Sequence, residues 1–147
     1  MTLNYNARRQ FELGAAAYIR RDYERSAVLF SRAITFDRKF APGYVYRGSA
    51  YLKNGQVAPA MADFERAIQL DPEFALAYHM RALAHEKRGN YAKAYRDFDT
   101  ALHLDPYFSS AYCGRDSVLA RQNTDDCHDE AEIINHLNGV RLQSTAS

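Results

Sequence analysis

Several residue types that point to particular classes of protein are scarce in this chain. Its 147 residues include two cysteines and no tryptophan, and 19 Lys+Arg are balanced by 18 Asp+Glu. Two cysteines are too few for a disulfide framework and fit a reducing compartment. A balanced charge gives no global basic field that would attract nucleic acid or an anionic membrane. We therefore expect a cytoplasmic protein with no nucleic-acid partner.

Long apolar runs and glycine-rich loops are also missing. No window approaches the roughly 18 apolar residues that a membrane-spanning helix requires. A signal peptide has an apolar stretch after its first charges, and the first residues, Met1 to Arg9, have none. The seven glycines are scattered and form no phosphate-binding loop. The sequence therefore predicts no membrane insertion and no cofactor.

What the chain has instead is an internal repeat with a period of 34 residues. The same interval relates three tyrosines, three phenylalanines and three alanines: Tyr44, Tyr78 and Tyr112; Phe30, Phe64 and Phe98; Ala33, Ala67 and Ala101. A fixed period of this length with two helical stretches per unit is typical of a stacked solenoid. Each helical hairpin alone would leave an apolar face exposed to water, so neighbouring hairpins are expected to stack.

Local signals place the helices within each unit. In the second unit, Pro42 suits the first turn of a helix and Asn54-Gly55 can end it, which predicts a helix over about 42–53. Asp71-Pro72 ends the second helix of that unit, because proline cannot continue a helix. The third unit repeats this pattern, with helices predicted from about Leu76 to Lys87 and from Tyr91 to about His103.

These units resemble tetratricopeptide repeats. That family asks for an aromatic residue at position 4, a small residue at 8, Ala at 20, Phe at 24, Ala at 27 and Pro at 32. The second and third units supply these residues: Tyr44, Gly48, Ala60, Phe64, Ala67 and Pro72, then Tyr78, Ala82, Ala94, Phe98, Ala101 and Pro106. Position 7 departs from the pattern, since Arg47 and Arg81 stand where leucine is usual. The resemblance implies an all-α fold of helical hairpins in a right-handed superhelical solenoid.

The end units are atypical, as expected where one side of a unit faces solvent. We interpret 1–147 as a single domain with a degenerate repeat at 7–40, full repeats at 41–74 and 75–108, and a partial repeat at 109–142. In the partial repeat we predict a helix over about 109–122, a polar break at Asn123 to Asp126, and a divergent capping helix over roughly 127–138. That helix could instead fold into the groove or onto a second copy. Residues 143–147 are expected to be mobile.

The resemblance also implies a binding groove, since the first helix of each repeat lines the concave surface in this family. The positions concerned give these candidate groove residues: Phe11, Tyr18, Val45, Tyr46, Ser49, Lys53, His79, Met80, Leu83, Lys87 and Cys113. Their mixture of apolar, aromatic and basic side chains suits a peptide with apolar anchors and some acidic character. Some of them, such as Val45, could instead pack between neighbouring helices.

One subfamily of these repeats holds a C-terminal carboxylate of chaperones with basic and asparagine side chains. The matching positions here are Phe11, Ala15, Tyr46, Leu76 and Met80, or, one unit later, Val45, Ser49, Met80, Ser110 and Gly114. Neither set contains a cation. We therefore predict that no such carboxylate clamp is present.

Catalysis and metal binding have little support in the sequence. His79 and Cys113 occupy equivalent positions on adjacent helices, but nothing nearby suggests an oxyanion site or an orienting third group. His128, Glu132 and His136 are spaced so that they could share a helix face, yet an exposed polar face explains them better than a metal site. The chain is therefore predicted to be a non-catalytic adaptor that binds a protein or peptide segment. The alternative is a self-associating scaffold that uses an end repeat or the last helix.

Overall fold

The computed structural model describes residues 4–126, and this part of the chain is entirely helical apart from short connections. Its helices are α1 (Tyr5–Ile19), α2 (Tyr23–Phe36), α3 (Ala41–Lys53), α4 (Val57–Leu70), α5 (Ala75–Lys87), α6 (Tyr91–Leu104) and α7 (Ser109–Asp126). The predicted helices of the second and third repeats are present within one or two residues at each end.

The helices form two layers. Each helix packs against the next in the chain, and α1, α3, α5 and α7 also contact one another in that order. These first helices of the repeats therefore make one layer, while α2, α4 and α6 make the other. The all-α superhelical solenoid predicted from the sequence is confirmed. The predicted capping helix and the mobile end, residues 127–147, lie outside the described residues.

The turns inside the hairpins use a left-handed residue. Gly55 has φ 80° and Gly89 has φ 76°, and glycine adopts this conformation without steric cost. In the first hairpin the equivalent residue is Arg21, with φ 63°. A side chain in this region costs about 1–2 kcal/mol, so the first turn is strained relative to the other two.

The predicted break at Asn123 to Asp126 is wrong, because α7 continues through these residues to Asp126. The repeat register places Asn123 where the second and third hairpins have Gly55 and Gly89. Asparagine, threonine and aspartate each disfavour a helix by at most roughly 0.7 kcal/mol, which is too little to end one. In the second and third hairpins a glycine with positive φ ends the first helix.

The core repeats with the same period as the sequence. Phe30, Phe64 and Phe98 are completely buried and are the largest such side chains among the described residues. A Cβ atom built on Gly48 would lie 2.6 Å from the Phe64 ring, and one on Gly14 would lie 2.8 Å from Phe30. The small residue at position 8 thus leaves room for the phenylalanine of the same hairpin.

The arginines that depart from the family pattern form ion pairs across their hairpins. Arg47 donates two hydrogen bonds to Asp63, of 2.8 and 2.6 Å, and Arg81 donates two to Asp97, of 2.7 and 2.8 Å. Both carboxylates are at least nine-tenths buried. Burial raises the pKa of Asp63, while the bonds from Arg47 act in the opposite direction. The first hairpin has leucine at both equivalent positions, Leu13 and Leu29.

Candidate functional site on the face of the first helices

A pocket of about 310 Å³ lies between α3, α5 and α7, on the face made by the first helices. Aliphatic and thioether side chains, those of Leu52, Met80 and Leu83, provide its apolar part. The polar lining residues are Ser49, Lys53, Glu86, Lys87 and Arg121. Repeat positions 9, 12 and 13 each contribute a lining residue from two or more adjacent helices, so the 34-residue period itself assembles the pocket from three repeats.

The charges at this pocket are mostly positive. Lys53 and Lys87 end α3 and α5 and are exposed, and a cation at a helix C-terminus is stabilised by the helix dipole. Arg121 forms an ion pair of 3.1 Å with Glu86, which joins α7 to α5 across the pocket. No ion pair of Lys53 or Lys87 occurs within the described residues. The two lysines therefore remain open to an acidic group.

Aromatic side chains fill the part of this face nearer the N-terminus. The Phe11 ring lies 5.4 Å from Phe30, 5.5 Å from Phe40 and 5.4 Å from Tyr46, between ring centroids. Edge-on contacts at these separations are favourable. Tyr46 is 38% exposed, so this cluster still presents an aromatic edge to solvent.

Tyr18 lies further along α1, with its ring 5.3 Å from that of Tyr23. Burial raises the pKa of the Tyr18 hydroxyl, and Tyr23 acts in the same direction. Tyr18 is therefore neutral at physiological pH and offers a hydrogen-bonding group without charge.

Three of the predicted groove residues are buried. Val45 has no exposed surface, Ser49 is 5% exposed and His79 is 8% exposed. His79 packs against Phe98 at 5.5 Å and Phe108 at 4.6 Å, because the connection after α6 places Phe108 over it. Val45 and His79 therefore support the groove from within and do not present a contact surface, a correction to the prediction from family positions.

Burial also sets the charge of His79. Its Nδ1 atom has no hydrogen-bond partner in the part of the chain that the structure describes, and burial lowers the pKa of the imidazole. The ring is thus neutral at physiological pH. Cys113, which occupies the equivalent position on the next first helix, is exposed on α7.

The remaining predicted residues lie on the accessible part of this face. Met80 and Leu83 are half-buried, as are Phe11 and Tyr18, whereas Lys53 and Lys87 are exposed. Three residues of the pocket are absent from the groove predicted from the sequence: Leu52, Glu86 and Arg121. Their repeat positions, 12 and 13, were the available signal, since both positions belong to the concave surface of the family.

The structure places several of the residues at the carboxylate-clamp positions among the features described above. Phe11 and Tyr46 are part of the aromatic cluster, and Met80 lines the pocket. Within residues 4–126 there is no group of three or more histidine, cysteine, aspartate or glutamate side chains that could hold a metal ion. His128, Glu132 and His136 lie outside this range. No helix in the same range is long and apolar enough to cross a membrane.

Comparison with known proteins identifies the repeat. The model of a TPR repeat matches residues 48–89, and the model of a tetratricopeptide repeat matches residues 75–108. The comparison with curated proteins returned no match.

Solved structures of TPR domains share the fold. The second TPR of Spaghetti (RPAP3), bound to the HSP90 peptide SRMEEVD, is 30% identical, with a TM-score of 0.66, and the alignment covers 69% of this chain and 94% of that one. The second TPR domain of human RPAP3, in complex with the HSP70 peptide SGPTIEEVD, is 28% identical over 77% of this chain and 94% of that one, with a TM-score of 0.72. The Arabidopsis OM64 TPR domain is 26% identical over 79% and 96%, with a TM-score of 0.77. The chain belongs to the tetratricopeptide repeat family.

Proposed function

We propose that this chain is a non-catalytic adaptor that binds an acidic peptide segment with an aliphatic anchor on the face of its first helices. The observation that carries this proposal is the pocket between α3, α5 and α7, with Leu52, Met80 and Leu83 as its apolar part. Beside it are two lysines, Lys53 and Lys87, that form no ion pair within residues 4–126. One aliphatic side chain of a peptide fits in such a pocket. A carboxylate next to it in the peptide would contact Lys53 or Lys87.

The peptide complexes of the related TPR domains support binding of this general kind. Both peptides, SRMEEVD and SGPTIEEVD, contain acidic and aliphatic residues. The clamp positions of this chain carry Phe11, Tyr46 and Met80 in place of cations. We therefore propose that recognition uses internal acidic residues of the peptide and does not depend on a terminal carboxylate.

Selection from a random displayed peptide library tests the proposal. The selected peptides should share an aliphatic residue next to acidic ones. The double variant Lys53→Glu with Lys87→Glu should weaken their binding roughly tenfold or more, since reversing two charges at the pocket removes attraction and adds repulsion. The matched control is Arg66→Glu with Lys93→Glu, two exposed cations of α4 and α6 in the other layer.

A second measurement addresses the clamp. The peptide SRMEEVD is compared with its C-terminally amidated form by fluorescence anisotropy. Amidation should change the affinity by less than about threefold, because no cation stands where a carboxylate would be held. Tight binding of the free acid that amidation abolishes would contradict the proposed mode. Equal affinity of the selected peptides for the lysine variant and the wild type would contradict the proposed site.

A further inference from the structure

The first helix of the first hairpin has an open face. In every later hairpin, the equivalent face is covered by the second helix of the preceding hairpin. The second helix of each hairpin packs against the first helix of the next one, as in α2 against α3, α4 against α5 and α6 against α7. This packing leaves Ala50, Ala84 and Val118 with no exposed surface. The equivalent residue of α1 is Ala16, which is exposed, and Leu13 nearby is 46% exposed. A helix surface built for packing is thus uncovered at this end.

We call this surface the end face and define it by six residues: Leu13, Ala16, Arg20, Asp22, Arg25 and Leu29. They line a cavity of about 160 Å³ between α1 and α2. Leu13 and Leu29 provide an aliphatic floor. Arg20 and Arg25 have no ion-pair partner within the described part of the chain. Asp22 caps α2 by accepting a hydrogen bond of 3.2 Å from the backbone nitrogen of Arg25. The end face is therefore apolar at its floor and positively charged at its rim.

The strained turn adds a third cation to this end. Arg21 adopts φ 63° and is exposed beside Arg20, whereas the second and third hairpins have glycine at this point. Glycine would remove the steric cost of about 1–2 kcal/mol. Strain of this kind is often found where a side chain serves a binding function.

The chain itself contains a segment of complementary chemistry. Residues 1–56 carry 10 Lys+Arg and 4 Asp+Glu, whereas residues 57–147 carry 9 and 14. The strongest acidic segment, residues 125–137, has five carboxylates and no lysine or arginine. It also has aliphatic residues, Ile133, Ile134 and Leu137. Opposite charge steers two such surfaces together, and aliphatic side chains can cover the open floor.

We propose that the end face binds the acidic segment 125–137 of a second copy of this chain, so that copies join head to tail. The two surfaces are different, so the interface is heterologous and can continue from copy to copy. Within one chain, α3 and α5 separate α1 from α7, the helix that leads into the acidic segment. The proposal is independent of the peptide pocket, which lies on another surface.

Light scattering on the full-length chain tests the proposal, using two variants that each lack one side of the interface. The head variant is Arg20→Glu with Arg25→Glu. The tail variant is Asp129→Asn with Glu130→Gln and Glu132→Gln. For the wild type, the mass should rise above that of one chain, 16.8 kDa, as concentration increases. It should fall again at about 1 M NaCl, where the screening length is about 3 Å.

Each variant alone should remain at the mass of one chain. An equimolar mixture of the two should form a dimer, because the intact acidic segment of the head variant can bind the intact end face of the tail variant. A misfolded variant could not restore association in this way. The matched control, Arg32→Glu with Lys39→Glu, changes exposed cations outside the end face and should associate like the wild type.

Three results would overturn the proposal. The first is a wild type with the mass of one chain at every concentration, which includes the case where the segment binds within its own chain. The second is association that persists unchanged in both variants. The third is a mixture of the variants that remains monomeric.

Discussion

Replacing the buried ion pair of the second hairpin by two leucines should restore most of the stability that either single replacement removes. The pair consists of Arg47 and Asp63, whose side chain is 6% exposed and accepts two hydrogen bonds from the guanidinium. The first hairpin has Leu13 and Leu29 at the same repeat positions. The fold thus already accommodates leucine at both of these positions.

The magnitudes follow from burial. Arg47→Leu leaves the Asp63 carboxylate buried without its cation, which should lower the free energy of unfolding by about 3 kcal/mol. Asp63→Leu should cost less, about 1–2 kcal/mol, because the Arg47 side chain is 22% exposed and can turn towards water. The double variant should lie within about 1 kcal/mol of the wild type, since buried ion pairs replaced by well-packed apolar residues are often neutral.

Urea unfolding followed by circular dichroism measures all four proteins of this cycle. The coupling between the two positions should be at least about 2 kcal/mol. Burial raises the pKa of Asp63, so the loss in Arg47→Leu should shrink as the pH falls and the carboxylate takes up a proton. A double variant that loses the sum of the two single losses would refute this reasoning.

Further effects are expected from three other features. Gly55→Ala and Gly89→Ala should each lower the free energy of unfolding by about 1–2 kcal/mol, because both glycines have positive φ. There is room for a Cβ atom at both positions, so the drop in Tm should report the backbone conformation alone. Gly48→Leu should cost about 1–3 kcal/mol in urea unfolding, because its Cβ would lie 2.6 Å from the Phe64 ring; an unchanged midpoint would contradict this packing. Burial lowers the pKa of His79 below 6.5. The contribution of the neutral ring to the free energy of unfolding is therefore fully present above pH 6.5 and is lost as the pH falls through the lowered pKa. The urea midpoint should therefore fall on acidification, and less so in His79→Phe.

The repeat architecture could be predicted from the sequence because it depends on local requirements that recur. Gly55 and Gly89 are needed where the backbone takes a positive φ, and Phe64 and Phe98 need a small residue opposite them. The glycine requirement appears twice, and the phenylalanine requirement, which Phe30 and Gly14 also meet, appears three times at an interval of 34 residues. The positive φ of Arg21 could not be predicted, because arginine is not a residue type that favours this conformation.

Contacts between helices were harder to predict, because they join residues far apart in sequence. His79 is buried by Phe108, which belongs to the connection before the next hairpin. The ion pairs of Arg47 with Asp63 and Arg81 with Asp97 share a spacing of 16 residues, a signal that was available. The pocket needs Leu52, Leu83 and Arg121 from three helices at once. Only the stacking of the hairpins shows which of these side chains remain accessible.

Amide chemical-shift mapping with a library-selected acidic peptide tests the central claim most directly. The account predicts shifts concentrated at the pocket, at Leu52, Met80, Leu83 and the two lysines that end α3 and α5. Exposed residues of the other layer, such as Ala62 and Ala92, should not shift. Shifts confined to α2, α4 and α6, with none at the pocket, would contradict peptide binding on the face of the first helices.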